Sequence, residues 1–115
     1  MKEKKITEIV VNLMLDKKAL DIKIIKVDKL TTLTDYFINC SSESDPQTRA
    51  IKNHIQDTLS SKYKIKPIHI EGFENLQWIL MDYATIVINI FNKESREYYD
   101  VERLWADAEI QTIKK

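Results

Sequence analysis

Apolar residues recur at helical spacing at the start of the chain and give way to strand-like alternation soon after. Ile6, Ile9, Val10, Leu13 and Leu20 fall on one side of a helix with Lys and Glu between them, which predicts an amphipathic helix to about Leu20. Residues 22–27 are rich in β-branched side chains and predict a strand. A polar connection, residues 28–34, leads to a second strand at 35–41, with Tyr36, Ile38 and Cys40 on one face and Phe37 on the other. So short a connection predicts antiparallel pairing. Ser44-Asp45-Pro46-Gln47 is a helix start signal: Asp45 can cap, and Pro46 suits the first helical position because its missing N–H would have no partner there. That helix should reach about Lys62, with Ile51, Ile55 and Leu59 facing the core.

Residues 67–71 predict a third strand, reached through a helix and therefore by a parallel, right-handed crossover. Residues 77–83 and 86–91 predict two more strands, joined in a tight hairpin by Ala84-Thr85 alone. After Glu94 come one or two short helices, the last with Leu104 and Trp105 on its apolar side. The final residues, near Lys114 and Lys115, are expected to fray. This order predicts an α/β fold, a single domain over residues 1–115 with a mixed five-stranded sheet whose helices cover one face.

Composition narrows the function. Eighteen Lys and Arg balance eighteen Asp and Glu, so no basic excess marks a nucleic-acid footprint, and no sequence-specific nucleic-acid contact is expected. No apolar run approaches the ~20 residues needed to span a bilayer. The charged start, Met1-Lys2-Glu3-Lys4-Lys5, lacks a following cleavage site, so a cytoplasmic protein without membrane attachment is expected. One cysteine allows no internal disulfide and no cysteine-rich zinc site. One glycine allows neither a phosphate-cradling loop nor a dinucleotide fingerprint.

The reactive residue types have plain structural readings. His54 and His69 lack a His or Cys partner at ligand spacing. Cys40 lacks an adjacent base and reads as a buried thiol. Asp100 and Glu102 could share a metal in a strand, but they precede Leu104-Trp105, where Asp100 reads as a helix cap. No catalytic set, metal or cofactor is expected. Asp82 is different, because it alternates with Trp78 and Leu80 and shares their face. A carboxylate among large apolar groups needs either a partner, such as Arg96 or a backbone donor, or a face that is a docking surface. Trp, Tyr and Arg are enriched at binding hot spots, and Arg96, Tyr98 and Tyr99 follow closely. The candidate partner-binding residues are Trp78, Leu80, Asp82, Tyr83, Glu71, Arg96, Tyr98 and Tyr99.

Several of these residues lie in a series that resembles the ribosomal silencing factor family, also called Iojap-like or YbeB-like. The matching elements are Asp35-Tyr36-Phe37-Ile38, Ser44-Asp45 with Gln47 and Ala50-Ile51, Glu71-Gly72, and Trp78-Ile79-Leu80-Met81-Asp82-Tyr83. Ile90-Phe91, Arg96-Glu97-Tyr98-Tyr99-Asp100 and Glu102-Arg103-Leu104-Trp105-Ala106-Asp107-Ala108 complete the series. The chain departs from the family at Ala84 and Ser42, where glycine is usual, and at Asn89, where histidine is usual. The resemblance implies a nucleotidyltransferase-like fold without transferase activity. It also implies docking on the large ribosomal subunit through its fourteenth protein, steric block of small-subunit joining, damped translation when nutrients are scarce, and a possible homodimer. Trp78 and Leu80 would supply the apolar anchor, Asp82 and Glu71 the acidic complement, and Tyr98 or Tyr99 peripheral contact. Two other readings stand beside it. One is a Mg²⁺-dependent nucleotide-handling enzyme with Asp82, Asp100 and Glu102 as ligands. The other is a module whose Trp78 face is only a dimer interface.

Overall fold

A computed structural model describes residues 3–72 and 74–114, apart from the side chains of residues 3 and 4. In chain order the elements are α1 (Glu3–Asp16), β1 (Leu20–Lys26), β2 (Tyr36–Ser42), α2 (Asp45–Tyr63), β3 (His69–Glu71), β4 (Trp78–Asp82), β5 (Ile86–Asn92), α3 (Lys93–Tyr99), a 3-10 helix (Val101–Trp105) and β6 (Glu109–Thr112). Among the described residues six strands form one mixed sheet in the order β3-β4-β5-β2-β1-β6, in which β2 and β5 pair in parallel and the other neighbours are antiparallel. The α/β class, the β1–β2 pairing and the β4–β5 hairpin match the sequence reading.

Local chemistry explains most of the differences. α1 stops at Asp16 because Lys18 adopts a left-handed conformation (φ 60°), and the Ala19 N–H returns to the Met14 carbonyl at 3.1 Å. Leu20 therefore opens β1. The α2 cap is Ser44, not Asp45: its hydroxyl accepts the Gln47 N–H at 3.2 Å, and Pro46 sits at the second helical position. Behind the cap, the Ser42 and Thr48 hydroxyls hydrogen-bond in a buried pair.

β3 corrects the expected crossover. It runs in the direction of β2, but β5 and β4 lie between them. Burial decides the placement: residues 86–91 of β5 are buried throughout, which suits a central strand, whereas β3 is short with exposed ends, which suits an edge. A sixth strand that the sequence reading did not expect, β6, pairs with β1 just ahead of the terminal residues expected to fray, of which Lys115 lies outside the described residues.

The helices also occupy both faces rather than one. α1 and α2 seal the face that carries Ile38, Cys40, Ile79, Met81, Ile86, Ile88 and Ile90, all essentially inaccessible to solvent. α3 and the 3-10 helix lie over part of the opposite face, where Tyr99 meets Trp78 and Trp105 meets Phe37. No described helix is long and apolar enough to cross a membrane.

Candidate functional site

Strand periodicity builds the open face. Trp78, Leu80 and Asp82 alternate with the buried Ile79 and Met81 and point away from α1 and α2. The register extends three rows across neighbouring strands. Trp78 lies beside Phe91 and then Ser41, Leu80 beside Asn89 and then Asn39, and Asp82 beside Val87 and then Phe37. Glu71, on the edge strand, pairs with Leu80.

The aromatic rings brace one another. Trp78 stacks on Phe91 with ring centroids 5.1 Å apart, meets Tyr99 at 5.2 Å, and Tyr99 meets Tyr98 edge-on at 5.1 Å. Trp105 packs on Phe37 at 5.4 Å. Between these groups lies a shallow cleft of about 210 Å³, walled by Phe37, Trp78, Leu80, Val101, Leu104 and Trp105, with Asn39 and Asn89 also lining it. Tyr98 and Leu104 are 82% and 78% exposed, so large apolar groups stand in solvent at its margin.

A polar chain runs beneath the aromatics. The Trp78 indole Nε1–H donates to Asn89 Oδ1 at 2.9 Å, Asn89 Nδ2 donates to Asn39 Oδ1 at 2.9 Å, and Asn39 Nδ2 donates to Glu102 Oε2 at 2.7 Å. Arg96 closes the chain: its Nε donates to Glu102 Oε1 at 3.3 Å, and its second guanidinium nitrogen lies 3.2 Å from Glu102 Oε2. The remaining nitrogen donates to the Asp21 carbonyl at 2.5 Å and to Ser41 Oγ at 2.9 Å. The Asp21 carbonyl is available because β1 bulges there: its register shifts between Leu20 and Lys23, with Asp21 at φ 48°.

The lone glycine seats this face. Gly72 has φ 81°, and a Cβ on it would come within 1.9 Å of the Trp78 carbonyl oxygen. Only a residue without a side chain lets the chain pass the start of β4 this closely.

The sequence candidates separate accordingly. Trp78, Leu80 and Asp82 are partly accessible on the open face, and Glu71, Tyr98 and Tyr99 are exposed around it. Asp82 is not paired with Arg96; its Oδ1 accepts the Ala84 N–H at 2.8 Å. Glu71 pairs with His69 at 2.8 Å. Arg96 is buried, its guanidinium turned inward, because Glu102 and the bulged β1 carbonyl outcompete solvent for it. Tyr83 lies on the other side of β4, packed against the helix-covered core; its hydroxyl has no protein partner, and burial pushes its pKa up to about 12. Asp100 makes no side-chain cap; it adopts φ 47°, and its N–H closes α3 on the Arg96 carbonyl. Cys40 lies in the sealed core, where burial, offset in part by the Arg96 charge, pushes its thiol up to about 12. His54 ties α2 to α1 through Asp16 at 2.9 Å.

Among the described residues no three His, Cys, Asp or Glu side chains converge on a point that could hold a metal. Glu102 is already committed to Asn39 and Arg96, so Asp82, Asp100 and Glu102 do not make the set that a Mg²⁺ site requires. Of the residues in this polar chain, the sequence reading did not name Asn39, noted Asn89 only as a departure from the family, and weighed Glu102 only as a metal ligand. The signal for the two amides was an Asn inside each of two apolar strand segments, where that residue is disfavoured.

Relatives share this architecture. A crystal structure of a protein from Chromobacterium violaceum superposes with a TM-score of 0.88 at 29% identity, covering 92% of this chain and 88% of that one. A Bacillus subtilis protein named ribosomal silencing factor RsfS is 34% identical over 98% of this chain and 95% of its own length. A mouse protein named for mitochondrial assembly of the ribosomal large subunit is 30% identical over 85% of this chain and 44% of its own length. The family model described as ribosomal silencing factor during starvation matches residues 1–115, and the chain belongs to this RsfS family.

Proposed function

We propose that this protein acts without catalysis, by docking the open face of its sheet onto the fourteenth protein of the large ribosomal subunit and so obstructing the small subunit. The observation that carries this reading is the aromatic and aliphatic face around Trp78 and Leu80: partly accessible, rigidly braced, and flanked by the carboxylates of Asp82 and Glu71. Such a face supplies the buried anchor and polar rim of a protein interface. Its acidic groups suit a basic partner and would act chiefly on encounter rate and register. The silencing-factor family and the large-subunit name of the mouse relative support the large ribosomal subunit as the target, and the choice of its fourteenth protein follows the family resemblance. The formal charge of zero favours protein contact over broad attachment to rRNA.

Sucrose-gradient sedimentation of purified large and small subunits tests this. The expected result is co-migration with the large subunit and fewer joined ribosomes. Trp78→Ala should keep its fold and lose at least about 2 kcal/mol of binding, roughly thirtyfold in Kd. Absence of co-migration at low salt with compatible ribosomes would overturn the reading. A Trp78→Ala variant that binds normally would remove Trp78 from the interface.

A further inference from the structure

We infer that Glu102, acting through Asn39 and Asn89, is a positioning residue that locks the Trp78 indole for docking. This rests on the docking reading above and assigns a task to residues that the partner itself need not touch.

Asn39 and Asn89 are 1% and 4% exposed, in the middle of adjoining strands. Amides buried there are costly unless paired, and β-branched residues would fill the strands with less risk. Their pairing is directional. An indole N–H can only donate, and an ionised carboxylate can only accept. With Trp78 at one end and Glu102 at the other, each amide must accept from the Trp78 side and donate toward the Glu102 side. That is the order of the three hydrogen bonds at 2.9, 2.9 and 2.7 Å. Reversing either amide would set donor against donor or acceptor against acceptor.

Arg96, also donor-only, fixes the Glu102 end through two contacts, and is itself anchored to Asp21 and Ser41. The chain thus crosses from β4 through β5 and β2 to the 3-10 helix. It couples Trp78, on one wall of the cleft, to the segment that carries Leu104 and Trp105, on the other. Every link from Trp78 to Glu102 is hydrogen-bonded, while the buried Arg96 Nη2 meets Glu102 only as an ion pair. Paired links of this kind select one arrangement of a face, and a broken member leaves its neighbours unpaired. Pre-ordering both walls reduces the entropy lost when a partner is bound.

The test combines large-subunit affinity with solvent exchange of the Trp78 indole N–H, measured by NMR on the isolated protein and assigned with Trp78→Phe. Glu102→Ala leaves the accessible aromatics in place. It should weaken large-subunit binding roughly tenfold, the cost of ordering the freed indole and its neighbours when the partner binds, and speed indole exchange. Glu102→Gln keeps an acceptor for Asn39 and should recover most of the affinity. Asn89→Leu should resemble Glu102→Ala. Asn89→His should resemble wild type, because a neutral imidazole accepts at one nitrogen and donates at the other. A folded Glu102→Ala protein with unchanged affinity and unchanged indole exchange would overturn the inference. If Glu102→Ala does not fold, the contrast between Asn89→Leu and Asn89→His decides it, and equal behaviour of those two overturns it. Failure of the wild-type protein to bind large subunits would sink the docking reading instead, while indole exchange in the variants still decides whether the chain holds Trp78.

Discussion

The two faces of the sheet are built on opposite plans. One carries an unbroken apolar layer, Ile38, Cys40, Ile79, Met81, Ile86, Ile88 and Ile90, sealed by α1 and α2. The other carries Trp78, Leu80, Phe37, Asn39 and Asn89, only partly roofed by α3 and the 3-10 helix. The first face maximises apolar burial and leaves nothing for a partner to grasp. The second keeps large rings partly accessible and replaces close packing with directional hydrogen bonds. The same strands serve both, so a substitution's consequence depends on which side of β4 or β5 its side chain takes.

The sealed face should show the largest effect. Ile88 is fully buried on it. Ile88→Ala removes buried methyl groups and leaves a cavity, with an expected loss of about 2–5 kcal/mol of unfolding free energy. The denaturant midpoint measures this. The folded fraction should still bind large subunits at wild-type affinity; a specific binding defect would blur the distinction between the faces.

Gly72→Ala tests where the open face is seated. The added Cβ meets the Trp78 carbonyl at 1.9 Å, and the left-handed backbone is strained for alanine as well. The expected stability loss is about 1–3 kcal/mol. Unlike Ile88→Ala, it should also change the Trp78 fluorescence of the folded protein and weaken subunit binding. Loss of stability with unaltered fluorescence and binding would mean that β4 accommodates the shift without moving Trp78.

These two outcomes bear on what the sequence could disclose. Period-two alternation was enough to put Trp78, Leu80 and Asp82 on one face, because a strand allows no other arrangement. Ser44-Asp45-Pro46-Gln47 marked α2 to within one residue of its cap. The Asn39–Asn89 contact was out of reach, since it exists only because β5 pairs in parallel with β2, and the crossover rule favoured β3 for that place. Arg96 read as a surface hot spot because its partners are a bulged carbonyl at Asp21 and a carboxylate at Glu102, and neither the bulge nor the approach of the 3-10 helix has a sequence signature. β6 was missed because its residues are exposed on all sides and show no alternation.

Alkaline pH should act on the sealed face alone. Burial raises Cys40 from 9.0 to about 12. Its contribution to stability is therefore fully present below about pH 9 and is lost as pH climbs toward 12, because the unfolded chain releases the thiol proton first. Between about pH 9 and 10 the loss should be on the order of 1 kcal/mol. Tyr83, raised to about 12, should add to the decline at higher pH. Unfolding curves of wild type and Cys40→Ala across this range measure the slope, which should be shallower in the variant. Equal slopes would mean that Cys40 is not the group responsible.

The smallest effect is expected where the two faces meet, at the β4–β5 turn. Ala84 is exposed at φ 71°, a region that costs a residue with a Cβ roughly 1–2 kcal/mol. The turn persists because the Ala84 N–H is held by Asp82 Oδ1 at 2.8 Å and the Tyr83 N–H by the Ile86 carbonyl at 2.9 Å. Ala84→Gly relieves the steric cost, while glycine's freer unfolded chain opposes it by about 0.4–1 kcal/mol. The net should be a gain of less than about 1 kcal/mol, visible as a small rise in Tm. Because the turn fixes the register of β4 and β5 as a whole, the gain should stabilise the sealed and open faces together and leave the affinity for the large subunit unchanged. A change in affinity without a change in Tm would mean that Ala84 itself belongs to the docking surface, and that the open face extends past Asp82 to the tip of the hairpin.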